Sequence, residues 1–224
     1  LSLPNVTTIT NGQNYDTHLV IQALSGGQVD LHGVTQITDP TTGDTRYRSI
    51  DISANGTNST VNLSALTSFS DPYAGHATNE NRYSTLTVTS GGTVQAGSLT
   101  TLTGVNLTLD PTATLPTAQI TTLTGNSALT LSGSKTYDFA GLASATGSVL
   151  NVQGAVLSAP NVTTVDGSSL LVSGGGSLAL PAVTAYANTT TSNNLVRTFQ
   201  ATGAGSALSL PNVTTITNGQ NYDT

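Results

Sequence analysis

Tyrosine, arginine and aspartate residues gather in a few short segments of this chain, which is otherwise nearly free of charge. Only 7% of its 224 residues are charged and 4% are aromatic, whereas soluble domains carry about 25% charged residues. Tyr and Arg are the side chains favoured at binding hot spots. The segments therefore predict a surface that contacts a ligand, a glycan or a neighbouring fibre, although polar corners facing water have the same composition. The predicted contact residues are Tyr15, Asp16, Arg46, Tyr47, Arg48, Tyr73, His76, Arg82 and Tyr83.

The inventory of acid and base groups argues against an enzyme. Polysaccharide lyases and hydrolases need carboxylates grouped on one face with a Lys or Arg. The single lysine, Lys135, has Asp138 as its nearest acidic neighbour in sequence. Asp30 and His32 lie one strand pleat apart and share a face, but such a pair is typical of a solvated ladder. The sequence predicts no catalytic residues, and a polysaccharide-active enzyme is only the third alternative.

Two segments offer oxygen ligands of the kind that calcium prefers. They are DPTTGD at 39–44 and DPYAGHATNE at 71–80, and neither has the spacing of a known calcium loop. Because Asp-Pro and Thr-Gly also form turns, we predict turns and no cofactor, with calcium as the alternative. With no cysteine, disulfides and thiolate metal sites are excluded.

Charge and hydropathy also exclude two classes of partner. The net charge is −6 with five Lys and Arg residues, so the basic surface that nucleic acid or an anionic membrane requires is missing. No apolar run approaches the ~20 residues of a membrane span, so none is predicted in this segment.

A long internal repeat organises the chain. Residues 1–17 recur unchanged as residues 208–224, an offset of 207 residues. A recent duplication or an engineered overlap would produce such an identity. We predict a parent protein built from nearly identical units of this length, of which residues 1–224 form a single continuous segment that holds one unit and the start of the next.

A second period of about 21 residues lies inside that unit. Its mark is an apolar residue, Thr, any residue, a second apolar residue, and usually Thr or Ser, at 6–10, 34–38, 66–70, 99–103, 120–124, 142–146, 162–166, 183–187 and 213–217. The copy at 142–146 is the weakest, with Ala143 in place of Thr. A period-two alternation such as Val61 and Leu63 precedes nearly every copy, and a further one, such as Leu129 and Leu131, precedes that. This period indicates strands.

Three short strands therefore make one coil, and Gly or Asn at the corners supplies tight bends. The predicted fold is all-β without helix: a right-handed parallel β-helix (β-solenoid) whose coils of about 21 residues stack in register. About eight coils fit into one unit, which would rise roughly 38 Å along the axis.

Four coils carry insertions at one corner, directly after the Thr-marked strand. The insertions span residues 11–17, 39–48, 71–83 and 188–194, and the first recurs at 218–224. Stacked coils would place them side by side as a ridge, and all nine predicted contact residues fall in it.

The first threonine of each motif forms a column along the stack. Its members are Thr7, Thr35, Thr67, Thr100, Thr121, Thr163, Thr184 and Thr214. We interpret the column as a structural ladder, worth about 0.2–1 kcal/mol per contact. An ice-binding array would need two Thr flanking one residue on a flat outward strand, whereas the apolar spacing of three implies a bend.

The phrases LSLPNVTTIT, SLTTLTG, APNVTTVDG and GGGSLALPAVTAY resemble repeats of bacterial surface proteins of the β-helix adhesin or haemagglutinin type. They are also similar to the coils of receptor L-domains, which carry cysteines and flanking helices that this sequence lacks. The resemblance implies an extracellular or cell-surface location and a structural repeat of a filament or fibre, whose partners are identical copies or adjacent tandem units. The alternative is an adhesin module that binds a glycan or a cell-surface protein through the corner ridge.

Overall fold

The computed structural model describes residues 1–72, 82–188 and 196–219, and this part of the chain contains strands but no helix. The strands, in chain order, are β1 (Thr8–Thr10), β2 (His18–Leu24), β3 (Gln28–Asp30), β4 (Gln36–Thr38), β5 (Ser49–Asn55), β6 (Thr60–Asn62), β7 (Ser68–Ser70), β8 (Ser84–Thr89), β9 (Thr93–Gln95), β10 (Thr101–Thr103), β11 (Val105–Leu109), β12 (Thr122–Thr124), β13 (Ala128–Ser132), β14 (Thr136–Asp138), β15 (Ser144–Ala145), β16 (Val149–Gln153), β17 (Val156–Ser158), β18 (Ser169–Ser173), β19 (Ser177–Ala179), β20 (Ala185–Ala187), β21 (Phe199–Thr202), β22 (Ala207–Ser209) and β23 (Thr215–Thr217).

Every strand pairs in parallel with strands from the preceding or following turn of the chain. The longest strands form an eight-stranded sheet in the order β2-β5-β8-β11-β13-β16-β18-β21. The Thr-marked strands form a six-stranded sheet, β1-β4-β7-β10-β12-β15, and the pair β20-β23. The remaining strands form the sheets β3-β6-β9 and β14-β17-β19-β22. A parallel, coil-upon-coil, all-β architecture of the predicted kind is therefore present.

The apolar residues of the strands point inward and form one buried cluster. Leu107 and Leu109 of β11 pair in register with Leu129 and Leu131 of β13, and all four are at most 2% exposed. Stacking like on like in this way is what makes three-residue strands stable, because a single coil cannot bury its own apolar side.

The number of residues between equivalent positions of adjacent coils varies with the corner insertions. Thr121 bonds to Thr100, 21 residues back, where the corners are short. Thr100 bonds to Thr67, 33 residues back, because residues 71–83 intervene. The strands before and after an insertion thus remain stacked on their neighbours.

The column of first threonines forms the predicted ladder in part of the chain. The hydroxyl groups of Thr35, Thr67, Thr100 and Thr121 each donate to the backbone carbonyl of the corresponding threonine in the preceding coil, over 2.9–3.2 Å. The bond fixes each side chain against its neighbour.

One glycine is required by the close approach of adjacent coils. A Cβ atom on Gly92 would overlap the backbone carbonyl of Ala54, which cannot move without breaking the β5–β8 pairing. We expect Gly92→Ala to lower the free energy of unfolding by about 1–3 kcal/mol, measured by urea unfolding. Gly97→Ala is the matched control, because nothing lies within 4 Å of its Cβ position. Equal stability of the two variants would contradict this account of coil packing.

Candidate functional site

A column of buried polar residues lies at the corner that carries the insertions. Asn11, Asp39 and Asp71 directly follow β1, β4 and β7, and each is at most 6% exposed. Their backbone N–H groups donate to the next coil, as from Asn11 to Thr38 O over 3.0 Å. At short corners the corresponding residue is glycine, such as Gly104, whose N–H donates to Thr124 O over 2.9 Å. An Asn or Asp at this position therefore accompanies a long corner.

Asn11 closes the first of these corners. Its side-chain Nδ2 donates to Thr17 O over 3.1 Å and to Ser49 O over 3.2 Å. The same group donates to Asp39 Oδ2 over 2.7 Å. One amide thus ties the two ends of the 11–17 segment together and joins them to the next coil.

Arg48 and Asp39 form a buried ion pair. Arg48 Nη2 lies 2.8 Å from Asp39 Oδ1, and both side chains are 2% exposed. Arg48 also donates to the carbonyl oxygens of Gly12 and Thr42, each over 3.0 Å, and to that of Pro40. Arg48, a predicted contact residue, is therefore enclosed, and it braces the 39–48 corner from inside.

Asp71 closes the third corner. Its Oδ2 accepts hydrogen bonds from Ser84 N over 3.1 Å and from Ser84 Oγ over 2.8 Å. The pKa of Asp71 is raised to about 6, mainly by burial and in part by the charge of Asp39, while the Ser84 bonds oppose the shift. Burial also raises the pKa of Asp39, against the hydrogen bond from Asn11 and the charge of Arg48.

Three predicted contact residues meet on the outside of the first two corners, which are formed by residues 11–17 and 39–48. The rings of Tyr15 and Tyr47 lie edge to face with centroids 5.7 Å apart, and the Arg46 guanidinium lies 5.2 Å from the Tyr15 centroid. Arg46 also binds Asp44 through two bonds of 2.9 and 2.6 Å, and these bonds lower the pKa of Asp44 to about 2. Tyr15 is 53% exposed, so this group can reach a partner.

Other predicted contact residues are joined to the strands beside the corner. Asp16 bonds to His18 Nε2 over 2.7 Å, and Arg82 donates to Asp51 Oδ2 over 3.1 Å and to Ser49 Oγ over 3.0 Å. Three predicted contact residues remain. Tyr83 is half-buried and lies just before β8, whereas Tyr73 and His76 lie outside the described residues, as does most of the 188–194 insertion.

The charged side chains of these corners contact one another and the backbone of neighbouring coils. Among residues 1–72, 82–188 and 196–219 no three His, Asp or Glu side chains form a group that could hold a metal ion. Asp39 and Asp44, the carboxylates of the first calcium-like segment, contact arginines instead.

The groups considered for catalysis are engaged locally. Asp30 and His32 do share a face, 3.1 Å apart and exposed. Lys135 donates to Ala113 O over 2.8 Å and lies 5.1 Å from the Tyr137 ring centroid. Each contact ties a side chain to its own or a neighbouring coil.

Sequence reasoning missed the role of the corner Asn and Asp residues. Asn188, at the same position as Asn11, is fully buried and donates to Asn218 Oδ1 over 2.9 Å. The signal was available in the sequence, because Asn or Asp replaces Gly after the Thr-marked strand wherever the corner is long.

Comparisons with family models, curated proteins and solved structures find no match for this chain. In the described part of the chain, no helix is long and apolar enough to span a membrane.

Proposed function

We propose that this chain is a structural repeat of an extracellular filament or fibre, in which identical units stack end to end into a rigid rod. In this proposal the rod is a right-handed β-helix with about eight coils per unit. Its role is mechanical and not catalytic, and its partners are the adjacent units.

The observation that carries the proposal concerns the strand of the repeated 17-residue sequence. This strand pairs through one edge near the N-terminus of the chain and through the other edge near the C-terminus. Near the C-terminus, Thr215–Thr217 pair with Ala185–Ala187 of the preceding coil. Near the N-terminus, the identical Thr8–Thr10 pair with Gln36–Thr38 of the following coil. In an array these are the same strand, and both of its edges would be paired at once.

The buried corner column supports the same continuity. Asn218, the repeat of Asn11, accepts a bond from Asn188 through Oδ1, whereas Asn11 donates to Asp39 through Nδ2. The two bonds use opposite atoms of one amide, so a single asparagine can make both. A single asparagine at the junction would therefore connect the column of one unit to that of the next.

Apolar side chains at both ends of the stack support the proposal as well. Leu1, Leu3 and Ile9 line an open cavity of about 730 Å³, and Leu1 is 72% exposed. At the other end Ile216 is 63% exposed, whereas Ile37, at the same position in an inner coil, is fully buried. Covering these side chains with another unit would remove apolar surface from water.

Electron microscopy of two units joined through the 17-residue repeat tests the proposal. We expect one straight, unbranched rod that is longer than a single unit by roughly 38 Å, which is eight coils at the strand spacing. The single unit serves as the length control. Two separate particles joined by a flexible connection would contradict the proposal.

A surface adhesin module is the second candidate. It is favoured by the exposed group of Tyr15, Arg46 and Tyr47, whose side chains are common at binding hot spots. The group lies on a corner outside the stacked strands, so a glycan or protein partner could bind there without interrupting the rod.

A further inference from the structure

The outward side of the six-stranded sheet carries a dense array of threonines. In each of five successive coils the array takes two outward residues of the Thr-marked strand and the threonine that precedes the strand. Of these fifteen positions twelve are Thr, two are Ser and one is Gln. This threonine face consists of Thr7, Thr8, Thr10, Thr35, Gln36, Thr38, Thr67, Ser68, Ser70, Thr100, Thr101, Thr103, Thr121, Thr122 and Thr124.

The backbone arranges these side chains as a regular mesh. Within β10 the buried Leu102 points inward, so Thr101 and Thr103 point outward. They pair in direct register with Thr122 and Thr124. Neighbouring strands lie about 4.8 Å apart and alternate residues about 6.6 Å apart along a strand. The array therefore repeats in two dimensions.

The bend expected between the two apolar residues of the motif leaves the second and third columns of this mesh together on the strands. Val34 and Ile37 are both buried, but β4 begins only at Gln36. The bend thus falls before the strand, and Gln36 and Thr38 flank a single inward residue. In β1, β10 and β12 both flanking residues are Thr, which is the arrangement that an ice-binding surface requires.

The side chains of the threonine face are held in place. The hydroxyls of its first column donate to the coil before, as from Thr67 to Thr35 O over 2.9 Å. In the third column the hydroxyl oxygens of Thr103 and Thr124 lie 3.3 Å apart. Groups that are already ordered lose little conformational entropy when a ligand binds.

The face is also free of charge, unlike the neighbouring sheets. All fifteen positions are uncharged, whereas Asp51 lies on the outward side of β5 and Asp30 on that of β3. Ice is a rigid, periodic and electrically neutral lattice of hydrogen-bonding groups. A rigid, periodic and neutral array of hydroxyl and methyl groups can match it, whereas charges would order water around themselves.

We propose that the threonine face binds ice. The proposal does not depend on the assembly of rods, because all five strands belong to one unit. It also differs from a role for threonine as strand former alone, which would not require the exclusion of charge from this face.

Ice binding is tested first with the wild-type chain. During slow freezing we expect the protein to partition into the growing ice, and in solution we expect it to shape ice crystals and to produce thermal hysteresis. Thr101→Lys, which places a long charged side chain in the array, should abolish these effects. Thr10→Lys in the exposed edge strand β1 should reduce them, and it provides the same test if Thr101→Lys does not fold.

Thr87→Lys is the matched control, because Thr87 is an outward, half-buried threonine of the eight-stranded sheet and its variant should keep wild-type activity. Circular dichroism checks that each variant is folded. The proposal is overturned if the wild-type chain is excluded from ice and leaves crystal growth unchanged, or if folded Thr101→Lys remains fully active. Binding to crystalline cellulose without any effect on ice would also overturn it, because the face would then recognise a polysaccharide lattice.

Discussion

Replacing Arg48 with methionine is expected to lower the free energy of unfolding by about 3–5 kcal/mol, since removing one partner leaves a buried charge uncompensated. Methionine fills similar space but carries no charge. Asp39, 2.8 Å from the guanidinium and 2% exposed, would lose its counter-ion. The carbonyl groups of Gly12, Pro40 and Thr42 would lose their donor at the same time.

Arg46→Met is the matched control, because the same residue type forms an ion pair two positions earlier. Arg46 and Asp44 lie 2.6 Å apart, but their side chains are 53% and 33% exposed. Exposed ion pairs contribute little to stability, so this variant should unfold close to the wild type. Urea unfolding of both variants provides the comparison.

Adding Asp39→Asn to Arg48→Met should recover part of the loss, because the double variant has no unpaired charge at this position. A double-mutant cycle separates this coupling from the loss of the carbonyl bonds. If Arg48→Met and Arg46→Met destabilised the protein equally, the buried ion pair could not be what supports the corner.

The repeat architecture could be predicted because its signals are local. Alternation such as Leu129 and Leu131 reports an inward face directly, and the motif copies mark the coil period. Stacking then follows, because three-residue strands have no other way to bury their apolar side. The parallel registers agree with this reasoning.

The buried corner could not be predicted in the same way. Arg48 lies in a polar segment with Arg46 and Tyr47, and composition alone suggested that all three face water. Its burial depends on Asp39, nine residues earlier in the same insertion, and on Asn11 of the preceding coil. Such a contact appears only when the register between coils is known.

The threonine face shows a different limit. The sequence indicated a column of first threonines and a bend beside it, and both are present. It did not show on which side of the bend the strand begins. The strand β10 starts at Thr101, so the variable third residue of the motif joins the fifth in an outward pair.

Asp71→Asn is expected to stabilise the protein at neutral pH. The Asp71 side chain is buried and its pKa is raised from 3.8 to about 6, so the folded state holds its proton more tightly than the unfolded chain. A difference of this size corresponds to about 3 kcal/mol. Asparagine carries no charge and its Oδ1 can still accept the bonds from Ser84.

The direction of the pH dependence follows from proton linkage. Below about pH 4 the carboxyl is protonated in both states, so Asp71 does not penalise folding. As the pH rises from about 4 to 6 the unfolded chain releases the proton first, and stability falls. Above about pH 6 the full penalty is present. The advantage of Asp71→Asn should therefore be small at pH 4 and should reach its maximum near pH 7.

Asp44→Asn gives the opposite sign and serves as the control. Its pKa is lowered to about 2 by Arg46, so the charged form is favoured in the folded state and neutralising it should not stabilise the protein. Thermal unfolding between pH 4 and 8 distinguishes the two. An advantage in melting temperature of Asp71→Asn over the wild type that grows between about pH 4 and 6 shows that the third corner is closed by a carboxylate whose charge opposes folding. If the variant is less stable than the wild type at pH 7, the hydrogen bonds from Ser84 to the charged carboxylate contribute more free energy than burial of the charge costs.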